Sequence, residues 1–286
     1  MMRFVMIVLT TMLSTFHAQG QDIQQQRQER HSKYMENAEL RHLANSGTVS
    51  ANDPRPLAQA FRALSEEYAW MIDYEDPPYY SNSDLVDDTA PEWRAAHPNE
   101  KGVTVIGGGS FQSQFPENPE GASIAEEEHV LDTVVSDYNK SGNPGRFSVL
   151  NEGDGRFAVV GTHVKDDNGQ ERSIGSILDT PITVQTETRN AFQTVSTILD
   201  ALTAKTQTKV DPGTMPLNVM FQSKVTIGGQ NIPARALLVQ TLSATKMKLY
   251  WHLYYDNDTK SYALNVLPLM KATYDASGKR TTDFVR

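Results

Sequence analysis

Cysteine is absent from the 286 residues of this chain. A chain without cysteine has no disulfide framework and no thiolate ligand for a metal ion. A lipid anchor attached to an N-terminal cysteine is excluded for the same reason. Thiol chemistry therefore contributes neither to the stability nor to the function of this protein.

Long apolar runs are also scarce, and the one clear run lies at the N-terminus. Arg3 precedes an apolar stretch over residues 4–13, and small and polar residues follow it. This order predicts a secretory signal over residues 1–20, and Ala18-Gln19-Gly20 fits cleavage after Gly20. The stretch is shorter than the roughly 20 residues of a membrane span, and retention as an anchor is the alternative. We therefore expect a periplasmic or secreted bacterial protein, with no membrane span once the signal is removed.

Positive charge is not in excess, because 35 acidic residues outnumber 26 basic ones and the formal net charge is −9. Nucleic-acid binding depends on clustered Lys and Arg that contact phosphates. The composition therefore argues against a nucleic acid as partner.

Catalytic and metal-binding motifs are missing too. The seven histidines form no H-x-x-x-H or H-E-x-x-H pair, and no G-x-S-x-G sequence occurs. The glycines at 107–109 follow a strand pattern, but no helix opens after them to complete a phosphate site. Asp166 and Asp167 begin a turn that lacks the glutamate of a calcium loop. We predict no catalytic residue, no cofactor and no metal.

The clearest structural pattern runs from Lys224 to Val266. It begins with an apolar strand at Val225, continues through a Gly228-Gly229 turn, and opens a helix at Pro233. Apolar residues then recur at helical spacing from Leu237 to Leu242. Two alternating runs follow, joined by turn residues at 256–258, and they predict a β-hairpin. The segment is therefore predicted to be a β-α-β-β unit.

Three further helices are predicted to begin near Pro56, Glu126 and Asn190, each followed by a strand or hairpin pattern. The sequence thus predicts an α+β fold of small β-α-β-β modules, with helices packed on short, mainly antiparallel sheets. The expected divisions are a signal at 1–20, a polar and disordered leader at 21–53, a first module pair at 54–165, a second at 166–270, and a frayed tail at 271–286.

The segment from Val225 to Val266 resembles the short N-terminal β-α-β-β domain of secretins and TonB-dependent transducers. The matching features are the strand at Val225, the loop Asn231-Ile232-Pro233, the helix carrying Leu237 and Leu238, and the aromatic hairpin after Lys248. Residues 56–74 resemble the helix-strand half of the same domain. The resemblance implies a periplasmic docking module that recognises a regulator or stacks into rings. No barrel or secretin core follows the unit, so transport is not implied.

Aromatic side chains supply the candidate partner surface. One face of the predicted hairpin carries Tyr250, His252 and Tyr254, and the tract from Tyr74 to Tyr80 adds Tyr74, Tyr79 and Tyr80. Exposed tyrosines on a hairpin suit a protein contact. The alternative is that a neighbouring module covers them as ordinary core.

These patterns predict an exported, non-enzymatic protein that docks to another envelope protein. Two alternatives stay open. One is an exported hydrolase whose site assembles from distant residues such as Asp73, Glu75 and His163, and the other is a carrier that binds a small ligand between modules. The identity of the partner and the oligomeric state do not follow from the sequence.

Overall fold

The structure is a computed structural model that describes residues 38–43, 46–116, 122–277 and 279–285. The predicted signal and residues 21–37 of the leader lie outside the described residues. Among those that are described, none of the helices is long and apolar enough to cross a membrane.

The first half of the chain forms one module around two helices, α1 and α3. Its elements are β1 (Ala38–Leu43), β2 (Ser46–Asn52), α1 (Pro56–Tyr68), β3 (Met71–Glu75), β4 (Leu85–Asp87), α2 (Pro91–Ala96), β5 (Thr104–Ile106), β6 (Ser110–Pro116), α3 (Ile124–Lys140), β7 (Arg146–Gly153) and β8 (Arg156–Lys165). An insertion begins with a 3-10 turn at Asn82–Asp84 and continues from β4 to β5.

The second half forms another module around α4 and α6. A short strand, β9 (Glu171–Ser173), and a 3-10 turn (Ile177–Asp179) precede it. Its elements are β10 (Pro181–Asn190), α4 (Ala191–Thr206), β11 (Val210–Pro212), α5 (Leu217–Gln222), β12 (Lys224–Pro233), α6 (Ala234–Ser243), β13 (Leu249–Asp256) and β14 (Ser261–Pro268). The chain ends with a hairpin of β15 (Met270–Tyr274) and β16 (Arg280–Phe284).

The two modules share one topology. In the first module this topology is β2, α1, β3, β6, α3 and the β7–β8 hairpin, with the insertion between β3 and β6. In the second module it is β10, α4, β11, β12, α6 and the β13–β14 hairpin, with α5 between β11 and β12. The first strand pairs antiparallel with the third, as β2–β6 and as β10–β12. The second strand lies parallel to the last, as β3–β8 and as β11–β14. The chain is thus built from two copies of the same arrangement.

The modules join through a single mixed sheet of seven strands. Its order is β11-β14-β13-β3-β8-β7, with β9 paired to the end of β8. The join is the parallel pair of β13 and β3. Each module keeps its own apolar core beneath its helices, so the common sheet is covered by packed side chains from both halves.

The predicted α+β class is confirmed, as are the four main helices and the final hairpin. Ser123 and Glu126 form a capping box at the start of α3. Asn190 caps α4 and shares a second capping box with Gln193. The apolar stripe of α6 is buried, and Asp256 pairs with Ser261 across the turn of the hairpin.

The predicted disordered leader extends too far toward the C-terminus. Residues 38–43 form β1, and residues 46–52 form β2, whose Val49 and Ala51 are buried. Small and polar residues alternate along β2, and only alternate positions face α1. That composition is typical of a linker, which is why the sequence pattern did not predict a strand.

The C-terminal segment is a hairpin instead of a frayed tail. Tyr274 donates a hydrogen bond to Glu67 of α1 at 2.8 Å, and Arg280 pairs with Glu66 at 2.9 Å. These contacts join the end of the chain to the first module. Their α1 partners lie more than 200 residues away in sequence, so no local pattern indicates them.

Gly228 and Gly229 do not form the predicted turn, because β12 runs straight through them. The β10–β12 ladder has a bulge here, and β10 comes very close to Gly228. A Cβ on Gly228 would lie 2.5 Å from the Cα of Thr186. Position 228 therefore requires glycine, because the backbones of β10 and β12 approach each other too closely there for a side chain.

We expect Gly228→Ala to destabilise the fold by about 1–3 kcal/mol, because the added methyl group forces β10 and β12 apart. Thermal unfolding measures the effect. Gly175→Ala is the control, since no atom lies within 4 Å of the place its added methyl group would occupy, and it should leave the melting temperature nearly unchanged. Equal melting temperatures for the two variants would contradict the close approach.

Candidate functional site

The predicted aromatic partner surface lies mostly in the core. Four of its six members are almost fully buried, namely Tyr74, Tyr79, Tyr250 and His252. Tyr254 is half-buried, and Tyr80 is exposed. The prediction of an exposed aromatic face is therefore wrong. Strand β13 is central in the sheet, and the α1 side of the first module covers the face that we expected to be free.

His252 behaves as a core residue. Burial lowers its pKa to about 3, and its Nδ1 lies 2.8 Å from the hydroxyl of Tyr254. Burial also raises the pKa of Tyr250 to about 12. Both side chains are therefore uncharged at neutral pH, as expected of groups enclosed between two modules.

The join between the modules is short, since β3 and β13 share only two residue pairs. At one end of this strand pair, the side chain of Asp73 accepts a hydrogen bond from the backbone N–H of Trp251 at 2.8 Å. This bond extends the contact between the two strands by one position. Arg156 donates to Asp73 at 2.6 Å and to the carbonyl of Leu249 at 2.5 Å. We call this set the Asp73–Arg156 clamp.

The other end carries a second clamp of the same design. Asp76 accepts the backbone N–H of Tyr255 at 3.0 Å and the Nε of Arg55 at 2.6 Å. Arg55 also donates to the carbonyl of Tyr255 at 2.7 Å. In this Asp76–Arg55 clamp, as in the first, an aspartate of the first module accepts from β13 while an arginine of the first module donates to it.

Both aspartates are fully buried. Burial raises the pKa of Asp73, and the adjacent Arg156 opposes that shift. Each acid is satisfied by a charged partner and a backbone N–H, which is what a buried carboxylate requires. Loss of one partner from such a pair costs about 3–5 kcal/mol, because the other charge is left uncompensated.

Arg235, in the first turn of α6, forms a third contact between the modules. Its guanidinium donates to Glu75 at 2.9 Å, to Asp179 at 2.9 Å and to the hydroxyl of Ser176 at 2.6 Å. It also lies 5.5 Å from the ring centre of Trp251. Burial raises the pKa of Glu75, and the positive charge of Arg235 opposes this.

Glu152, at the end of β7, lies beside this group. Its Oε1 is 3.7 Å from Nη1 of Arg235, and within the described residues neither atom has a hydrogen-bond partner. Burial and then the charge of Asp73 raise the pKa of Glu152 to about 8, although Arg235 and Arg156 act in the opposite direction. The carboxyl of Glu152 therefore keeps its proton to higher pH than an exposed glutamate does.

The residues named for a possible hydrolase are only partly brought together. Asp73 and Glu75 share one face of β3, because alternate strand residues point the same way. His163 lies on β8, three residues beyond the partner of Glu75, and its Nδ1 contacts Thr162 at 3.1 Å. The two carboxylates meet Arg156 and Arg235 instead. In the described ranges no group of three or more potential ligands could hold a metal ion.

An apolar groove of about 470 Å³ opens on the second module. Its lining residues are Met215, Pro216, Leu217, Asn218, Val219, Met247, Pro268 and Phe284. Leu217 is 50 % exposed and Phe284 is 57 % exposed. Phe221, 51 % exposed, lies one turn after Leu217 on α5. The apolar surface therefore extends from the groove along α5.

Sequence reasoning missed both the clamps and the groove. The two clamp arginines belong to no recognisable sequence motif. The sequence feature that points to the clamps is the presence of three acidic residues among the otherwise apolar residues 71–76. The groove had a stronger signal, because no Asp or Glu occurs between Asp211 and Asp256. That acid-free stretch supplies most of the groove lining.

Comparison of the chain with protein-family models, curated proteins and solved structures finds no significant match. The β-α-β-β order of the unit from β12 to β14 is as the sequence predicted. Its resemblance to the short N-terminal domain of secretins and TonB-dependent transducers stays a prediction.

Glu152→Gln should flatten the dependence of stability on pH. The pKa of Glu152 in the folded protein, about 8, lies above its ordinary value of 4.5. The stability that its proton contributes is thus fully present below about pH 4.5 and is lost as the pH rises to about 8. Melting temperatures across this range should fall more steeply for the wild type than for the variant. Parallel profiles would show that Glu152 titrates normally.

Proposed function

We propose that this chain is an exported, non-enzymatic protein that docks to another protein of the bacterial envelope through the apolar groove. The groove is the observation that carries the proposal. Concave, mainly apolar surfaces are the usual form of binding sites on proteins. The N-terminal signal pattern supports export, and the charge balance supports a protein partner over a nucleic acid.

The walls of the groove suit a docking site because core packing and backbone hydrogen bonds hold them in place. Met220 of α5 is fully buried and anchors that helix to the core of the second module. The N–H of Leu269 donates to the carbonyl of Lys248 at 2.9 Å, and the N–H of Val285 donates to the carbonyl of Leu269 at 2.9 Å. A rigid surface loses little entropy on binding, while the methionines at its edge can adapt to a partner.

Leu217→Asp should abolish capture of the partner, because it places a charge in the groove. The measurement is quantitative crosslinking in envelope extracts, with the partner identified by mass spectrometry. Val86→Asp is the matched control, since Val86 is 49 % exposed and lies in the insertion of the first module. Equal capture by both variants, with both folded by circular dichroism, would reject the groove as the docking site.

A second candidate is a hydrolytic or small-ligand site at the module junction. The observation in its favour is Glu152, whose raised pKa suits a general acid at neutral pH and whose oxygens lack partners in the part of the chain that the structure describes. A substrate screen of the wild type against Glu152→Gln tests it. Turnover that the substitution removes would favour this site over docking alone.

A further inference from the structure

The groove lies in the one long part of the chain that lacks acidic side chains. The whole chain has 35 acidic residues and a formal net charge of −9. Between Asp211 and Asp256, however, the ionised side chains at neutral pH are Lys224, Arg235, Lys246 and Lys248, since His252 is buried and neutral. The stretch that supplies most of the groove lining therefore carries a net charge opposite in sign to that of the chain as a whole.

We call residues 246–248, which include two of these cations and the lining residue Met247, the rim of the groove. Lys246 and Lys248 flank the lining residue Met247, and both are exposed. Neither forms an ion pair with any described residue. Three lysines elsewhere pair with an aspartate, as Lys101–Asp258, Lys165–Asp84 and Lys209–Asp211. The rim thus offers two exposed positive charges that no other described residue pairs with.

One acidic residue does adjoin the lining on the opposite wall. Asp283 precedes Phe284, but it lies across the β15–β16 ladder from Lys271. Cross-strand neighbours of opposite charge offset each other. The rim beside Met247 therefore keeps its positive charge.

From this juxtaposition we infer that the groove binds an acidic amphipathic segment of a partner protein. Large apolar side chains of the segment enter the groove and pack on Leu217 and Phe284, while its carboxylates pair with Lys246 and Lys248. The inference deepens the proposed docking function and rests on it. It assigns the chemistry of the partner at the same groove.

Charge makes this site selective. Two lysines beside an apolar groove attract a segment of negative charge and raise its association rate. The acidic remainder of the chain repels the same segment from other faces. A basic segment with identical apolar residues would meet repulsion at the groove.

A protein segment fits this surface better than a membrane does. Binding to anionic lipid takes a cluster of about four to eight Lys or Arg on one face, and the groove rim has two. The net charge of the chain would also oppose approach to an anionic bilayer. The concave shape of the groove instead suits a few inserted side chains.

Selection from a displayed library of random short peptides tests the inference on the full chain purified after export. Peptides retained by the wild type are then incubated with Leu217→Asp, and those that also bind this variant are discarded. We expect the survivors to combine large apolar residues with Asp or Glu. The double substitution Lys246→Glu with Lys248→Glu should weaken their affinity roughly tenfold, as expected for the loss of two partly exposed ion pairs. Lys140→Glu, on α3 of the other module, should leave the affinity unchanged.

The outcomes separate the inference from the proposed function. Survivors that are apolar but neutral or basic would overturn the acidic partner and leave groove docking intact. Equal recovery of peptides by wild type and Leu217→Asp would overturn both. Vesicles of phosphatidylglycerol that sediment with the wild type, and not with Leu217→Asp, would identify a lipid surface as occupant and reject the inference. Self-association that Leu217→Asp abolishes would identify a second copy and reject it too.

Discussion

Two arginine–aspartate clamps hold the halves of this protein in one sheet. Strands β3 and β13 share only two residue pairs, which is too short a contact to fix two modules by backbone pairing alone. Asp73 and Asp76 extend it by accepting N–H groups of β13, and Arg156 and Arg55 neutralise them. The clamps are buried, so their charges interact strongly, and removal of either arginine would leave an uncompensated aspartate.

The burial of the aromatic side chains and the position of the C-terminal hairpin both depend on the pairing of β3 with β13. Because the modules meet edge to edge, the aromatic face of β13 is enclosed by the first module, and tyrosines that would be exposed on an isolated hairpin become core. The C-terminal hairpin then crosses between the halves, bonding to α1 through Tyr274 and placing Phe284 in the groove of the second module. The open apolar surface thus lies beside α5.

Local patterns predicted the parts of the fold that local physics controls. The helix starts near Glu126 and Asn190, the stripe of α6 and the turn after Asp256 each involve residues a few positions apart. The clamps join residues 83 and 178 positions apart, and nothing in the sequence distinguishes a buried Arg156 from a surface arginine. The absence of acidic residues between Asp211 and Asp256 could have indicated the groove from the sequence. Its shape, however, depends on α5, Met247 and Phe284 coming together in space.

The most direct test of this account is a double-mutant cycle on the Asp73–Arg156 clamp, with unfolding free energies measured in denaturant. Arg156→Met alone should cost about 3–5 kcal/mol, because it leaves Asp73 buried and unpaired. Asp73→Asn added to it should restore part of that loss, so that the double variant loses less than the sum of the two single variants. Additive losses would contradict the claim that these clamps hold the modules together.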